Sequence, residues 1–470
     1  MKHAASKFAP VCLALAAGMA SAQCDPSWDT TIGNPGVTGT GYIGPMTIWD
    51  DGNGAALYAG GSANGIGASG INGLGKYDFA TETWSNLGSG IISGGTNIFI
   101  TRILPWDDGT GEKLYVAGQF GGAGGVPDTN SLAAWDGTQW ISLGAGFTQT
   151  MSRVTYDMLP LDLGSGEKLY MVGNWSEIGG TPVGTGLAVY DPAHGGSFAP
   201  WGNGIGIAGG FSPFVNSMIL WDDGSGPAVY INGRFDSVDG VSATNVARFN
   251  ITTGQWESFG QPLVPTSIVN NNTSWVIFDD GDGEALYLGG QQFRIGGSGQ
   301  VFNVAKWDGT SWTGVGQFTS GRVTDLAVFD DGSGPALYAT GTAFFEVEYF
   351  AKLVNNQWVP ALGGVFGPPT NGNFPSAFGL LAWEDKLFVG GNFTRVGGDL
   401  LTSRGIAAIQ GCATPSCPPD LNGDGVIDAD DFFLFLQLFA DGDTRADFNN
   451  DGVIDADDFF AFLNAFATGC

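Results

Sequence analysis

Two stretches near the C-terminus carry oxygen-bearing side chains at a spacing suited to a metal ion. Residues 420–431, DLNGDGVIDADD, place Asp420, Asn422, Asp424, Asp428 and Asp431 at positions one, three, five, nine and twelve of a twelve-residue loop. Gly425 stands at position six, where the chain must turn sharply, and Val426 at seven offers a backbone carbonyl. Such a set of hard oxygen donors suits Ca2+. The pattern returns 27 residues later as DFNNDGVIDADD (447–458), with Asp447, Asn449, Asp451, Val453, Asp455 and Asp458 in the same places. Two bound calcium ions are expected.

Each loop must run into an element that holds its closing carboxylate. The apolar segments FFLFLQLFA (432–440) and FFAFLNAFA (459–467) are each long enough for a short helix. Two such loop–helix units, closed by Asp rather than Glu, resemble a type I dockerin. That resemblance implies a module over 412–470 that folds on calcium and docks onto a cohesin-like protein or a cell-surface scaffold. Positions ten and eleven, which help set partner choice in that family, hold Ala429-Asp430 and Ala456-Asp457. Calcium binding carries over; the partner's identity does not. Twelve acidic residues in 417–470 repel one another without a counter-ion, so the calcium is expected to be structural.

The rest of the chain is built on another repeat. DDGNGAALYAGG (50–61), DDGTGEKLYVAG (107–118), DLGSGEKLYMVG (162–173), DDGSGPAVYING (222–233), DDGDGEALYLGG (279–290) and DDGSGPALYATG (330–341) are near-copies, and WEDKLFVGGNF (383–393) is a shortened seventh. The DDGDGEALYLGG stretch is no calcium loop, because Ala285 stands where the sharp turn needs Gly and Gln291 where a carboxylate must close the frame. It reads as a hairpin, with Gly supplying positive φ and Asp capping the backbone. The following aromatics, Tyr58, Tyr115, Tyr170, Tyr230, Tyr287, Tyr338 and Phe388, recur about every 50–60 residues. Short strands at that period, separated by Gly-rich turns, predict an all-β chain: a seven-bladed β-propeller over 23–411, followed by the small α-helical calcium-binding domain.

In the sixth unit the four strands are read at 323–329, 336–340, 349–354 and 357–362. Trp84, Trp140, Trp201, Trp256, Trp312 and Trp358 recur in fourth strands, and Trp28 continues the series backwards. The strand around Trp28 is therefore expected to complete the last blade, whose own third strand is read at 405–410. The pairing of LYAGG (57–61), LYLGG (286–290) and LFVGG (387–391) with a later aromatic and Trp, as in YDFATETW (77–84), resembles the kelch motif. A propeller scaffold carries many unrelated functions.

A catalytic set is hard to find. Beyond the N-terminal segment the chain has one histidine, His194, in a stretch read as a surface turn; copper oxidases of the kelch type need two, which excludes that chemistry. A glycosidase acting on O-glycosyl bonds would need a carboxylate pair. The loops of one propeller face offer Asp128, Glu177, Asp236, Asp239, Glu346, Glu348 and Asp399, with nothing to single out two of them. Phe120, Trp175, Phe235, Phe293 and Phe393 follow second strands and are read as packing between blades rather than as sugar platforms.

Residues 1–22, with Lys2, Lys7, a short apolar run and Ala20-Ser21-Ala22, have the pattern of a signal peptide, so a secreted, extracellular protein is expected, with cell-surface attachment open to it. That leaves Cys24, Cys412, Cys417 and Cys470. Three pairings are open; closing the ring as above favours Cys24–Cys412 and Cys417–Cys470. A formal charge of −29 argues against nucleic acid as a partner, and no apolar run is long enough for a membrane span. The reading adopted is a non-catalytic binding or structural protein, with a polysaccharide or protein ligand on the propeller face. A polysaccharide-degrading glycoside hydrolase is the alternative.

Overall fold

The computed structural model describes residues 25–67, 70–95, 97–144, 147, 153–193, 196–266, 274–316, 318, 320–342, 348–367, 375–411, 419, 421, 429–441, 444–446, 448 and 453–468. Four antiparallel strands, Ile43–Asp50, Ala55–Ile66, Ile71–Asp78 and Thr83–Ser85, form the first sheet in sequence order. The same order recurs in sheets that begin at Phe99–Asp107, Thr155–Asp162 and Phe214–Asp222, and twice more, from Ser274–Asp279 and from Arg322–Asp330, in a nine-stranded sheet joined where Gln291 meets Arg322. In the sixth unit the strands run at Arg322–Asp330, Pro335–Thr342, Phe350–Val354 and Gln357–Pro360.

The last sheet is assembled from both ends of this region. Ala377–Trp383, Lys386–Gly391 and Ile406–Gln410 are joined by Ser27–Asp29, with Trp28 opposite Ile409. The Trp28 Nε1–H donates to Leu362 O at 2.9 Å. Trp140 makes the same bond to Leu87 O at 2.9 Å and Trp358 to Val315 O at 3.2 Å, each reaching back to the loop that leaves the preceding sheet.

The first strand of each sheet packs on the first strand of the next, and Ala377–Trp383 packs on Ile43–Asp50. This succession closes on itself, the arrangement of a β-propeller. Apolar clusters fill the seams. Trp49, Tyr58 and Leu74 meet Ile100, Val116 and Trp135 between the first two sheets, and Ile43 and Leu57 meet Phe388 and Ile406 between the last and the first. Second strands are covered on both faces, which is why they read as unbroken apolar runs rather than alternating ones; Leu57, Tyr58 and Ala59 are all fully buried. The second Gly of the repeat has a steric origin. A Cβ on Gly118 would lie 2.2 Å from Phe99 O, because the bulge between Ile100 and Arg102 brings the neighbouring backbone close.

Two helices follow, α1 (Ala429–Asp441) and α2 (Ala456–Thr468). Asp457 and Asp458 in the first turn of α2 complement its positive end. Phenylalanines at helical spacing meet between them: the Phe435 and Phe462 rings stack at 4.1 Å and 7°. Cys24, Cys412, Cys417, Cys470, His194 and Glu346 lie outside the described residues.

Candidate functional site

The hairpin that marks each repeat divides labour between its two aspartates. The first caps the turn: Asp279 Oδ1 accepts from Gly281 N at 2.8 Å and Gly283 N at 3.0 Å, and Asp50, Asp107, Asp162, Asp222 and Asp330 do likewise. The second meets charge from the third strand or its own hairpin. Asp280 accepts from the Tyr287 hydroxyl at 2.7 Å and pairs with Lys306 at 2.6 Å; Asp331 does so with Tyr338 and Lys352, and Asp108 with Tyr115 and Lys113. Burial opposes ionisation of Asp331, but Lys352, Ser333 and Tyr338 outweigh it and hold the carboxyl down to about 2. These groups are occupied within the hairpin. The repeat holds the sheets and leaves chemistry to other residues.

The loop carboxylates are dispersed. Glu177 pairs with Arg153 at 3.2 Å and Asp399 with Arg395 at 3.3 Å. Asp236 accepts from Ala208 N at 2.7 Å and Asp239 from Asn203 N at 2.8 Å. Asp128 and Glu348 sit at positive φ, 57° and 52°. Asp236 and Asp239 both hold the 203–208 segment, and the others belong to separate loops. Phe120, Trp175, Phe235, Phe293 and Phe393 are all buried within the seams, so their rings pack between sheets.

Sequence reading passed over a charged layer in the innermost strands. Asp157 accepts from Met158 N at 2.8 Å and from Met218 N, in the next sheet, at 2.9 Å, with Arg102 Nε of the preceding sheet at 3.0 Å. Asp325 accepts from Ser274 Oγ at 2.6 Å, Leu326 N at 2.9 Å and Leu380 N at 2.8 Å, joining three successive sheets. Burial, only partly offset by those donors and by the Arg102 charge, pushes Asp325 up to about 6, and burial raises Asp157 as well. A carboxyl near pH 6 has the acidity of a proton donor. Both Asp325 oxygens, however, are held by protein donors, which is the geometry of a tether. The available signal was a lone charge five residues before the hairpin's first aspartate in an otherwise apolar strand.

In the C-terminal region Asp431 and Asp458, the twelfth residue of each loop, are fully buried. Asp458 Oδ2 accepts from Asp455 N at 2.9 Å, and Asp455 Oδ1 from Asp457 N at 2.9 Å. Val453 is exposed. Asp420, Asn422, Asp424, Val426, Asp428, Asp447, Asn449 and Asp451 lie outside the described residues. Among the described residues no three His, Cys, Asp or Glu side chains gather as a metal site. What is described fits a hard cation in kind: a carboxylate oxygen donor stands at the closing position of both loops.

No known family matches the sequence, and no curated protein matches it. Among solved structures, the extracellular domain of a one-component system from B. thetaiotaomicron shares 14% identity at a TM-score of 0.44, covering 82% of this chain and 40% of that one. The chain thus corresponds to less than half of that protein's length. The Dos1 propeller shares 12% identity at a TM-score of 0.40, covering 80% of this chain and 93% of that one. The computationally designed Ika8 protein shares 11% at 0.39, covering 80% and 98%. The ring of sheets itself defines the class, a β-propeller. No helix among the described residues is long and apolar enough to cross a membrane.

Proposed function

We propose that this chain is a secreted seven-bladed β-propeller of kelch-like type, carried by a calcium-dependent dockerin-like module that attaches it to a cohesin-like partner. The single observation that carries the reading is the doubled calcium spacing, with the closing carboxylates Asp431 and Asp458 buried in the first turns of α1 and α2. A docking role draws support from Phe433 and Phe460, which stand at the same place in the two units and are 64% and 63% exposed. Large apolar rings left in water at two matched positions suit a partner surface. Five four-stranded sheets and a nine-stranded one that holds two further four-strand sets support the blade count.

The propeller then acts as a rigid display body. The hydrolase alternative needs two carboxylates facing one bond, whereas Glu177, Asp236, Asp239 and Asp399 are each engaged by an arginine or a backbone N–H. The test is binding of the mature chain to a panel of immobilised cohesin domains in calcium and in EDTA. Capture in calcium only, weakened at least tenfold by Phe433→Ala with Phe460→Ala, is expected. Indifference to EDTA would overturn the reading.

A further inference from the structure

The seam where the ring closes contains a cavity of about 300 Å³. Its walls come from the N-terminal segment (Thr31, Asn34) and from the outer strands of the first sheet (Tyr77, Glu82, Thr83, Trp84). Trp84 Nε1–H donates to Ile32 O at 3.1 Å, the bond that Trp140 makes to Leu87 O at the next seam, and this fixes one wall of the cavity.

The lining has a definite chemistry. The Tyr77 and Trp84 rings lie 5.2 Å apart at 56° and form an aromatic wall. The Trp84 N–H is already committed to Ile32 O, so the indole offers mainly its apolar surface. Thr31, Asn34, Glu82 and Thr83 supply the polar part of the lining. Glu82 is held at φ 54°, an uncommon backbone state for a residue with a side chain. No Lys or Arg lines the cavity, so phosphate, sulfate and uronate groups find no counter-charge.

We propose that this seam cavity binds a neutral sugar, taking a terminal pyranose ring of an oligosaccharide. The C–H face of such a ring packs on Trp84 and Tyr77, while its hydroxyls bond to Glu82, Asn34 and the two threonines. A volume at the lower end of small-molecule sites, roughly 300 Å³, suits one or two rings. Because Thr31 and Asn34 follow the closing strand, a bound sugar also stabilises ring closure. The site stands apart from the calcium module and does not depend on its docking role.

The experiment is ligand-observed NMR and calorimetry on the mature full-length protein with glucose, galactose, mannose, xylose and their β-linked disaccharides, glucuronic acid and tetramethylammonium as controls. At least one neutral sugar is expected to saturate, to raise the thermal midpoint, and to bind equally in EDTA. Glu82→Ala is expected to weaken it at least tenfold. Ile32→Phe, which adds bulk at a residue lining the cavity, is expected to abolish it. Saturation by none of the neutral sugars, binding unchanged in both variants, or saturation by tetramethylammonium or glucuronic acid instead would overturn the proposal.

Discussion

The Trp49 indole donates its Nε1–H to Glu112 Oε2 at 2.7 Å, linking the end of one sheet's innermost strand to the hairpin of the next. Trp106 and Glu167 make the same bond at 2.9 Å, as do Trp221 and Glu284. Where the strand ends instead in Leu161 or Phe278, the next hairpin carries Pro227 or Pro335 in place of the glutamate. Trp383 has Ala55 at that place and instead stacks on Phe79 at 4.9 Å. The Trp–Glu pair recurs at three seams, and a double-mutant cycle tests it. Trp49→Phe and Glu112→Ala should show a coupling of about 1 kcal/mol in urea unfolding, the typical net value of a hydrogen bond. Strict additivity would show the pair to be idle.

Asp325 gives the ring a pH signature. Its folded pKa, about 6, lies above the unfolded value of 3.8, so the folded state binds more protons between those limits. Its effect on stability is therefore a penalty at neutral pH that is relieved as pH falls from 6 toward 4, at most about 3 kcal/mol. Asp325→Asn should gain on the wild type steadily as pH rises from 4.5 to 7.5. A difference in unfolding free energy that stays level across that range would contradict the assignment. Asp331, held at about 2, acts in the opposite sense: its contribution is present above 3.8 and is lost as pH falls from there toward 2.

Closure by the N-terminal strand should be visible in stability. Trp28 bonds to Leu362 O and its ring lies 5.8 Å from Phe350. Trp28→Ala is expected to lower stability by about 2–3 kcal/mol, less than for a fully buried Trp because this one is half-buried. Exposure of Ile406–Gln410 as a free edge should also promote association, read by size-exclusion chromatography. An unchanged midpoint would mean that the ring does not depend on this strand.

Calcium stoichiometry tests the two loops separately. The mature chain stripped with EDTA should take up about two ions by calorimetry, and Asp431→Ala or Asp458→Ala should each reduce this to about one. Chelation should reduce the helical circular dichroism while leaving the propeller's thermal transition in place. Stoichiometry unaltered by both substitutions would remove the loops from the account.

The hairpins and their recurrence could be read from the sequence because each is a local pattern. A turn needs Asp and Gly at fixed offsets. The capping role of Asp279 is legible for the same reason. The partners of Asp280 are less so, since Lys306 arrives from another strand. Arg102, Asp157 and Asp325 meant nothing along the chain, because the N–H groups of Met218 and Leu380 that define two of them belong to neighbouring sheets some 55–60 residues away. The seam packing of Phe120 and Phe235 was legible from their recurrence after second strands, whereas the residues each ring meets were set by the assembled sheets. The closing cavity is the extreme case. Its lining brings Thr31 and Asn34 against Tyr77, Glu82 and Trp84 from far along the chain, and a void is a property of the assembled ring alone.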